Sequence, residues 1–465
     1  MADKSVRQTA YEILDPILKD GLLYRQACWN EAAAVESLSE SDRRFLRHLT
    51  KGVLEQKPAL DAILSKLLKK PLTKQPPGLV TILSMGLYEL YFMRTENYAA
   101  VNEYVRLAAS NRLGGLKGVV NSVLRKADAE RESLLSGLSL SEKAGISTYL
   151  WKKLKSWYPE NYQTIASHLI DPKRPLTVRR MISKASEKDF LDSLSHDGVT
   201  AEKRSDARNA FDLYNVGELT ALQAFQKGWL YVQDASSILA CDHVADLIRN
   251  AVPDAGFAVL DLCAAPGGKT IGLADEALYR AEYSLYKEGA HSLHIGRDAL
   301  TDQQILKLMS GRYRFTACDL SGEKTALIRE NAERLGFPFI EVLQSDAAVD
   351  VPAFHGAYDL VIADVPCSGI GIIGEKPDIQ LHLSDAYLND LAALQQKILM
   401  QAVRYVRPGG TLAYSTCTLN PSENADQVRW LTDTFPEFEA IRDRTCLPGI
   451  DDMRGFYMAR LQKKG

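Results

Sequence analysis

Apolar positions along the chain fall into two regimes. Through residues 4–133 they recur every three or four residues, with wide apolar faces over 79–92 (LVTILSMGLYELYF) and 98–109 and breaks at Lys70-Pro71, Pro76-Pro77-Gly78 and Gly114-Gly115. That spacing predicts an all-α region, because a helix carries every third and fourth residue to one face. From Gly228 onward, short continuous apolar runs bounded by Gly or Pro alternate with helical stretches. Such runs read as strands buried on both faces, and so as the parallel sheet of an α/β domain. Two of them, YDLVIAD (358–364) and GGTLAYS (409–415), flank a helical stretch over 387–405. Ligands of such strand–helix–strand units sit beyond the carboxyl ends of the strands. Cys367 and Cys417 follow those ends.

A free cysteine is most often a buried, inert thiol. Pro366-Cys367-Ser368-Gly369 and Ser415-Thr416-Cys417-Thr418 argue otherwise, since polar and turn-forming neighbours suit a loop lining a cleft. The seven cysteines form no CxxC pair, so neither a disulfide framework nor a structural metal is expected. A third run, AVLDLCAAPGGKT (258–270), ends in a Gly-rich turn. Its Gly268-Lys269-Thr270 matches the end of a P-loop, but residue 263, where the first glycine belongs, is cysteine, and Pro266 interrupts the cradle. The other reading is a turn whose amides receive the carboxylate of an amino-acid-like cofactor. Asp319, Asp346 and Asp364, at or just past the ends of three further predicted strands, favour a cationic nucleoside, S-adenosylmethionine, over a triphosphate that carboxylates would repel. Asp319 is placed for ribose hydroxyls and Asp346 for an adenine amino group.

Charge adds an asymmetry. Residues 1–210 carry 33 basic and 25 acidic side chains, and residues 211–465 carry 23 and 34. A basic front could serve a polyanionic partner, but on charge alone a solvated helical surface is the better reading. Basic and aromatic residues interleave at Trp151, Lys152, Lys153, Lys155, Trp157 and Tyr158, and DPKRPLTVRRMI (171–182) offers Lys173, Arg174, Arg179 and Arg180 as phosphate contacts. An excursion over 278–312 exceeds what a helix-to-strand link needs, and its His291 and His294 read as surface residues. No apolar run approaches the ~18 residues of a membrane span, and the first residues lack the apolar stretch of a signal peptide, so a cytoplasmic, monomeric protein is expected. The expected division is an all-α domain over 1–135, a linker with a small RNA-contacting subdomain over 136–225, and an α/β domain over 226–465.

RRFLRHLTKGVLEQKPALDAIL, GLYELYFM, YAAVNEYVRLA and VVNSVLRKA resemble the RNA-binding fold of the antitermination factor NusB. LDLCAAPGGKT, ACDLS, QSDA, DLVIADVPCSGIG and YSTCTLNPSEN, in that order, resemble the RNA cytosine-C5 methyltransferases of the Nol/Nop/Sun type, and the whole chain resembles their bacterial Sun/Fmu branch, which methylates 16S ribosomal RNA. The resemblance implies a Rossmann-like class I methyltransferase domain, doubly wound on a mostly parallel sheet, after an all-α NusB-like domain. It places the cofactor loop on Cys263, Ala264, Ala265, Pro266, Gly267, Gly268 and Lys269, and the cofactor carboxylates on Asp319, Asp346 and Asp364. It assigns attack on cytosine C6 to Cys417, release of the product to Cys367 and a contact with N3 of the base to Asp364. RNA, and not DNA, is the expected partner. Three departures from the family pattern stand out: Gly374-Glu375-Lys376 before Pro377-Asp378 where two arginines are usual, Leu381 for an aromatic, and Met181 for an asparagine. Rival readings are a non-enzymatic RNA-binding scaffold with a decayed transferase domain, a C5 methyltransferase acting on another RNA, and a DNA cytosine methyltransferase whose nucleophile would be Cys367.

Overall fold

The computed structural model describes residues 5–93, 97–170, 174–252, 256–287 and 300–465. Lys173, His291 and His294 lie outside the described residues. The chain divides into two compact units, Met1–Pro172 with Ile372–Asp385, and Lys173–Gly371 with Ala386–Gly465.

The first unit is helical. Its centre is the helix Pro77–Phe92, buried on nearly every side because residues 79–91 are apolar all round. Pro77 starts it where a missing N–H costs nothing. One of its few polar residues, Glu89, is fully buried and takes Arg7 Nε at 3.0 Å and the Tyr104 hydroxyl at 2.6 Å, so three helices share one satisfied charge. The unit continues past the NusB-like stretch through the helices Thr148–Trp157 and Tyr162–Leu169. Trp151 there packs edge-on against Tyr162, and Lys153 pairs with Asp385 at 2.6 Å.

The short segment Ile372–Asp385 follows the Cys367 loop in sequence but belongs to this helical unit. Buried Asp378 accepts the Tyr24 amide at 3.1 Å. Buried Gln380 accepts the Ser147 amide at 2.9 Å and donates to the Gly145 carbonyl at 3.0 Å. The departures from the family pattern at 374–378 therefore sit in a segment held by backbone groups of the helical unit.

The second unit holds two sheets. Strands β1 (Leu176–Arg180), β2 (Thr200–Lys203), β3 (Ala210–Tyr214) and β4 (Leu230–Val232) form an antiparallel sheet in the order β2-β3-β1-β4, covered by the helix Glu187–His196. Strands β5 (Phe257–Asp261), β6 (Tyr313–Asp319), β7 (Ile340–Gln344), β8 (Tyr358–Asp364), β9 (Val406–Thr416), β10 (Phe438–Cys446) and β11 (Phe456–Lys463) form a seven-stranded sheet in the order β10-β11-β9-β8-β5-β6-β7. Pairing is parallel from β7 through β9, and β11 runs antiparallel to both neighbours. Successive residues pack to opposite faces: Val259, Phe315, Leu360 and Ile362 meet one helical layer, and Leu260, Cys318, Val361 and Ala363 the other. This is the mostly parallel, doubly wound methyltransferase sheet that the resemblance implies. The helices Gly268–Lys287 and Asp302–Met309 occupy the described parts of the 278–312 excursion. Among the described residues no helix is long and apolar enough to cross a membrane.

Gln380→Ala is expected to destabilise the helical unit by about 1–3 kcal/mol, since it strands the Ser147 N–H and the Gly145 carbonyl. Loss of hydrogen-exchange protection at Ser147 is the readout. Unchanged protection would mean that the inserted segment merely rests against these helices.

Candidate active site

The carboxyl ends of β5, β6, β7, β8 and β9 carry the candidate residues. β5 ends at Asp261 and turns through Cys263–Lys269 into the helix Gly268–Lys287. The turn folds on itself: Ala264 N donates to the Cys318 carbonyl at 2.8 Å, Ala265 N to Asp319 Oδ2 at 3.0 Å and Gly267 N to the Ala264 carbonyl at 2.7 Å. These amides are thus committed within the protein. Those left without a protein partner among the described residues are on Gly268, Lys269 and Thr270, the first turn of the helix, where the dipole favours an anion. Pro266 offers its carbonyl to the Tyr231 hydroxyl and to Asn331 Nδ2. Beneath the turn, Asp261 accepts from Thr270 Oγ1 at 2.7 Å while its Oδ1 is buried without a partner. Burial pushes the Asp261 carboxyl up to about 7. The Cys263 thiol rises too, through burial and the nearby Asp261 and Asp319.

Asp319 closes β6, accepting the Leu320 amide at 2.8 Å and pairing with Lys324 at 3.1 Å. Asp346 follows β7 and accepts the Ala348 amide at 2.9 Å. Asp364 closes β8 between two donors, Lys269 Nζ at 2.6 Å and Ser415 Oγ at 2.6 Å. Lys269 itself is buried and lies 5.4 Å above the Phe456 ring.

The two cysteines meet because of register. β8 and β9 run parallel with Asp364 opposite Ser415, so the residues just beyond come level with one another. Cys367 Sγ lies 3.3 Å from Cys417 Sγ, and both thiols are partly exposed. The Cys417 hydrogen bond, reinforced by burial, holds the Cys367 thiol well above the usual thiol range. Glu423 is completely buried beneath them. It accepts from Ser368 N at 2.8 Å, Ser368 Oγ at 2.5 Å, Gln395 Nε2 at 3.0 Å and Asn420 Nδ2 at 3.0 Å, and Ser368 Oγ also meets Thr418 Oγ1 at 2.7 Å. One fully satisfied carboxylate thus joins the loop of Cys367 to the loop of Cys417. The same loops are clamped where Gly371 N donates to the Cys417 carbonyl and Gly455 N to the Gly371 carbonyl. A Cβ on Gly371 would lie 1.9 Å from the Gly455 carbonyl oxygen, so only glycine permits this approach.

Two expected phosphate contacts are corrected. Arg179 and Arg180 are 7% and 8% exposed; Arg179 donates to the Ile238 carbonyl and Arg180 to the Ala185 carbonyl and Asn209. Successive residues of β1 face opposite sides of its sheet, and both sides are covered here, so both guanidiniums end inside, which a run of basic letters conceals. Arg174 donates to the Met453 carbonyl, and Met181, in place of the usual asparagine, is fully buried in the core. Ser368 and Thr418 are expected from the sequence only as polar neighbours of the cysteines, and nothing there points to Glu423. Asn420, Glu423 and Asn424 resemble ordinary helix-capping residues, and nothing local shows that Glu423 turns back to Ser368. Among the described residues no three His, Cys, Asp or Glu side chains converge as metal ligands.

Residues 301–462 match the family described as 16S rRNA methyltransferase RsmB/F, and residues 4–129 the NusB family. The fold is similar to the crystal structure of PH0851, with a TM-score of 0.73 at 19% identity over 98% of this chain and 99% of that one. Ribosomal RNA small subunit methyltransferase B of Klebsiella pneumoniae subsp. pneumoniae is 29% identical over 92% of each chain. The enzyme of the same name from Vibrio vulnificus is 30% identical over 441 residues, 93% of each chain. The matches cover more than nine tenths of each chain, and the chain belongs to the ribosomal RNA small subunit methyltransferase B family.

Proposed function

We propose that this methyltransferase modifies C5 of a cytidine in 16S ribosomal RNA through a covalent bond between Cys417 and C6, with the NusB-like front contributing RNA affinity. The observation that carries the reading is the thiol pair at 3.3 Å beyond the ends of β8 and β9. S-adenosylmethionine supplies the methyl group. The donor set fits that cofactor: Asp319 and Asp346 suit its sugar and base, and the amides of Gly268, Lys269 and Thr270 suit its carboxylate. Gln233 Oε1, buried without a partner, adds an acceptor within the same unit.

C5 of cytosine is a poor nucleophile until something adds at C6. The Cys417 thiolate forms the S–C6 bond, the C5–C6 π pair is delocalised from C5 towards N3, and N3 takes a proton from solvent that it gives back once C5 has received the methyl group. Asp364, ordered by Lys269 and Ser415, contacts N3. After C5 has been methylated, the C5 proton leaves to a base, the S–C6 bond breaks and its electron pair returns to Cys417. The Cys367 S–H, aimed at that sulfur, stabilises the departing thiolate. Thiol attack requires a cytidine taken out of its stack.

Asp319→Ala is expected to weaken S-adenosylmethionine binding by roughly 1.5–3 kcal/mol, about ten- to a hundred-fold, measured by calorimetry. Unchanged affinity would remove Asp319 from the site. The alanine variants of the two cysteines should fail differently on 16S ribosomal RNA. Cys417→Ala should give neither adduct nor product, whereas Cys367→Ala should methylate once and accumulate a protein–RNA adduct that survives denaturing electrophoresis. An adduct trapped in Cys417→Ala and absent from Cys367→Ala would reverse the two roles. If neither variant forms an adduct and the wild type transfers no methyl group, the scaffold reading gains.

A further inference from the structure

The α/β unit contains a cavity of about 500 Å3 that the methyl-transfer chemistry does not use. Arg280 and Tyr283 line it from the helix that begins at Gly268, twelve and fifteen residues on. At about 1.5 Å per residue they lie roughly 18 Å or more from the cofactor turn. Arg208 before β3 and Arg249 near the end of the helix Ala235–Asn250 add two guanidiniums from other parts of the chain, and Arg180 at the end of β1, already committed to Ala185 and Asn209, adds a fourth positive charge to the wall without a free N–H face for a phosphate.

Two carboxylates, Glu187 and Glu276, share the lining with four guanidiniums and offset the set only in part. Glu187 is paired with Lys203 at 2.6 Å, and Glu276 with Arg249 at 3.3 Å. Asp242 accepts the Arg208 backbone amide, and buried Asp275 spends its oxygens on Ile182 N, Ser183 N and Ser183 Oγ. Neither Arg208 nor Arg280 lies within ion-pair distance of a carboxylate among the described residues, although Arg208 sits in the field of Asp242 and Arg280 meets the Tyr313 hydroxyl. Arg180 is 8% exposed and binds Ala185 and Asn209, yet its Nε is buried without a partner. Burial lowers the Arg180 pKa, a cost that an anion in the cavity would relieve. Tyr279 and Tyr283, one helical turn apart, set their rings 6.2 Å from each other at 11°, presenting aromatic surface beside the cations.

Several guanidiniums around a cavity of ligand size, with aromatic surface alongside, match the needs of a phosphate ester carrying a base. We propose that this cavity binds phosphate esters and that their source is the backbone of the ribosomal RNA substrate, held at a second point away from the reacting nucleotide. The proposal rests on the RNA substrate of the family and not on which carbon is methylated. Arg208 is exposed, so its replacement leaves the fold intact.

The test measures binding of 16S ribosomal RNA to the full chain across a salt series, for wild type, Arg208→Gln, Arg280→Gln and Arg208→Lys. Each glutamine variant should raise Kd about three- to ten-fold and reduce the slope of log K against log salt by about 1, while Arg208→Lys keeps most of the slope. The affinity for S-adenosylmethionine and kcat at saturating RNA should stay unchanged. Calorimetry with ADP forms the second arm. ADP binding that Arg208→Gln abolishes, together with unchanged RNA affinity, would keep the phosphate-ester chemistry but overturn the RNA source. Unchanged RNA affinity and slope with no ADP binding would overturn the proposal altogether.

Discussion

The parallel register of β8 and β9 is the constraint on which the site depends. Opposing Asp364 and Ser415 fixes where both strands stop, and the loops beyond them leave from one level of the sheet. Two thiols fifty residues apart in sequence therefore arrive 3.3 Å from each other, and the Asp364 carboxylate is bridged to Ser415 across the same pair of strands. A register slip would turn each strand's side chains to the opposite face and separate all three groups at once. The buried faces forbid this slip, because Val361 and Ala363 pack on one side and Leu360 and Ile362 on the other.

Register alone leaves loops free to move, and the polar core beneath the thiols removes that freedom. Glu423 takes four hydrogen bonds, two from Ser368 in the Cys367 loop and one from Asn420 in the Cys417 loop. A buried carboxylate with every lone-pair direction occupied is costly to break, because truncating it strands several donors in a dry interior. The glycine pair Gly371 and Gly455 adds steric closure that any side chain would spoil. The chain then runs from Ile372 into the helical unit, so the segment directly after this clamp is anchored by Tyr24, Gly145 and Ser147.

Periodicity made much of this legible. The expected helices over 79–92 and 387–405 correspond to Pro77–Phe92 and Asp385–Tyr405, and the strand readings at 358–364 and 409–415 fall within β8 and β9. Asp319 and Asp364 end their strands as expected because a carboxylate after an apolar run marks the emergence of the chain from the sheet. Long-range side-chain partners were not legible. The inward turn of Arg179 and Arg180 depends on which face of a short strand is covered, and the covering helices come from residues 187–196 and beyond. The Cys367 loop's dependence on Glu423 is a contact across 55 residues that no local pattern encodes. The membership of Ile372–Asp385 in the helical unit was hidden for the same reason: its partners lie more than two hundred residues earlier.

The central claim is that the two thiols form one hydrogen-bonded unit in which the Cys417 contact and burial push the Cys367 thiol up, the arrangement on which the proposed division of roles rests. Alkylation of the wild-type protein by iodoacetamide across a pH series, with each site quantified by peptide mass spectrometry, tests this without RNA or cofactor. The thiolate is the reacting species, so the rate profile of each cysteine reports its own ionisation. The account predicts that Cys367 labelling stays slow until the solution is well above the range of an ordinary thiol, and that Cys417→Ala, which removes the hydrogen bond, brings it to lower pH. Labelling of Cys367 with the profile of an ordinary thiol, or a profile that Cys417→Ala leaves unchanged, would contradict it.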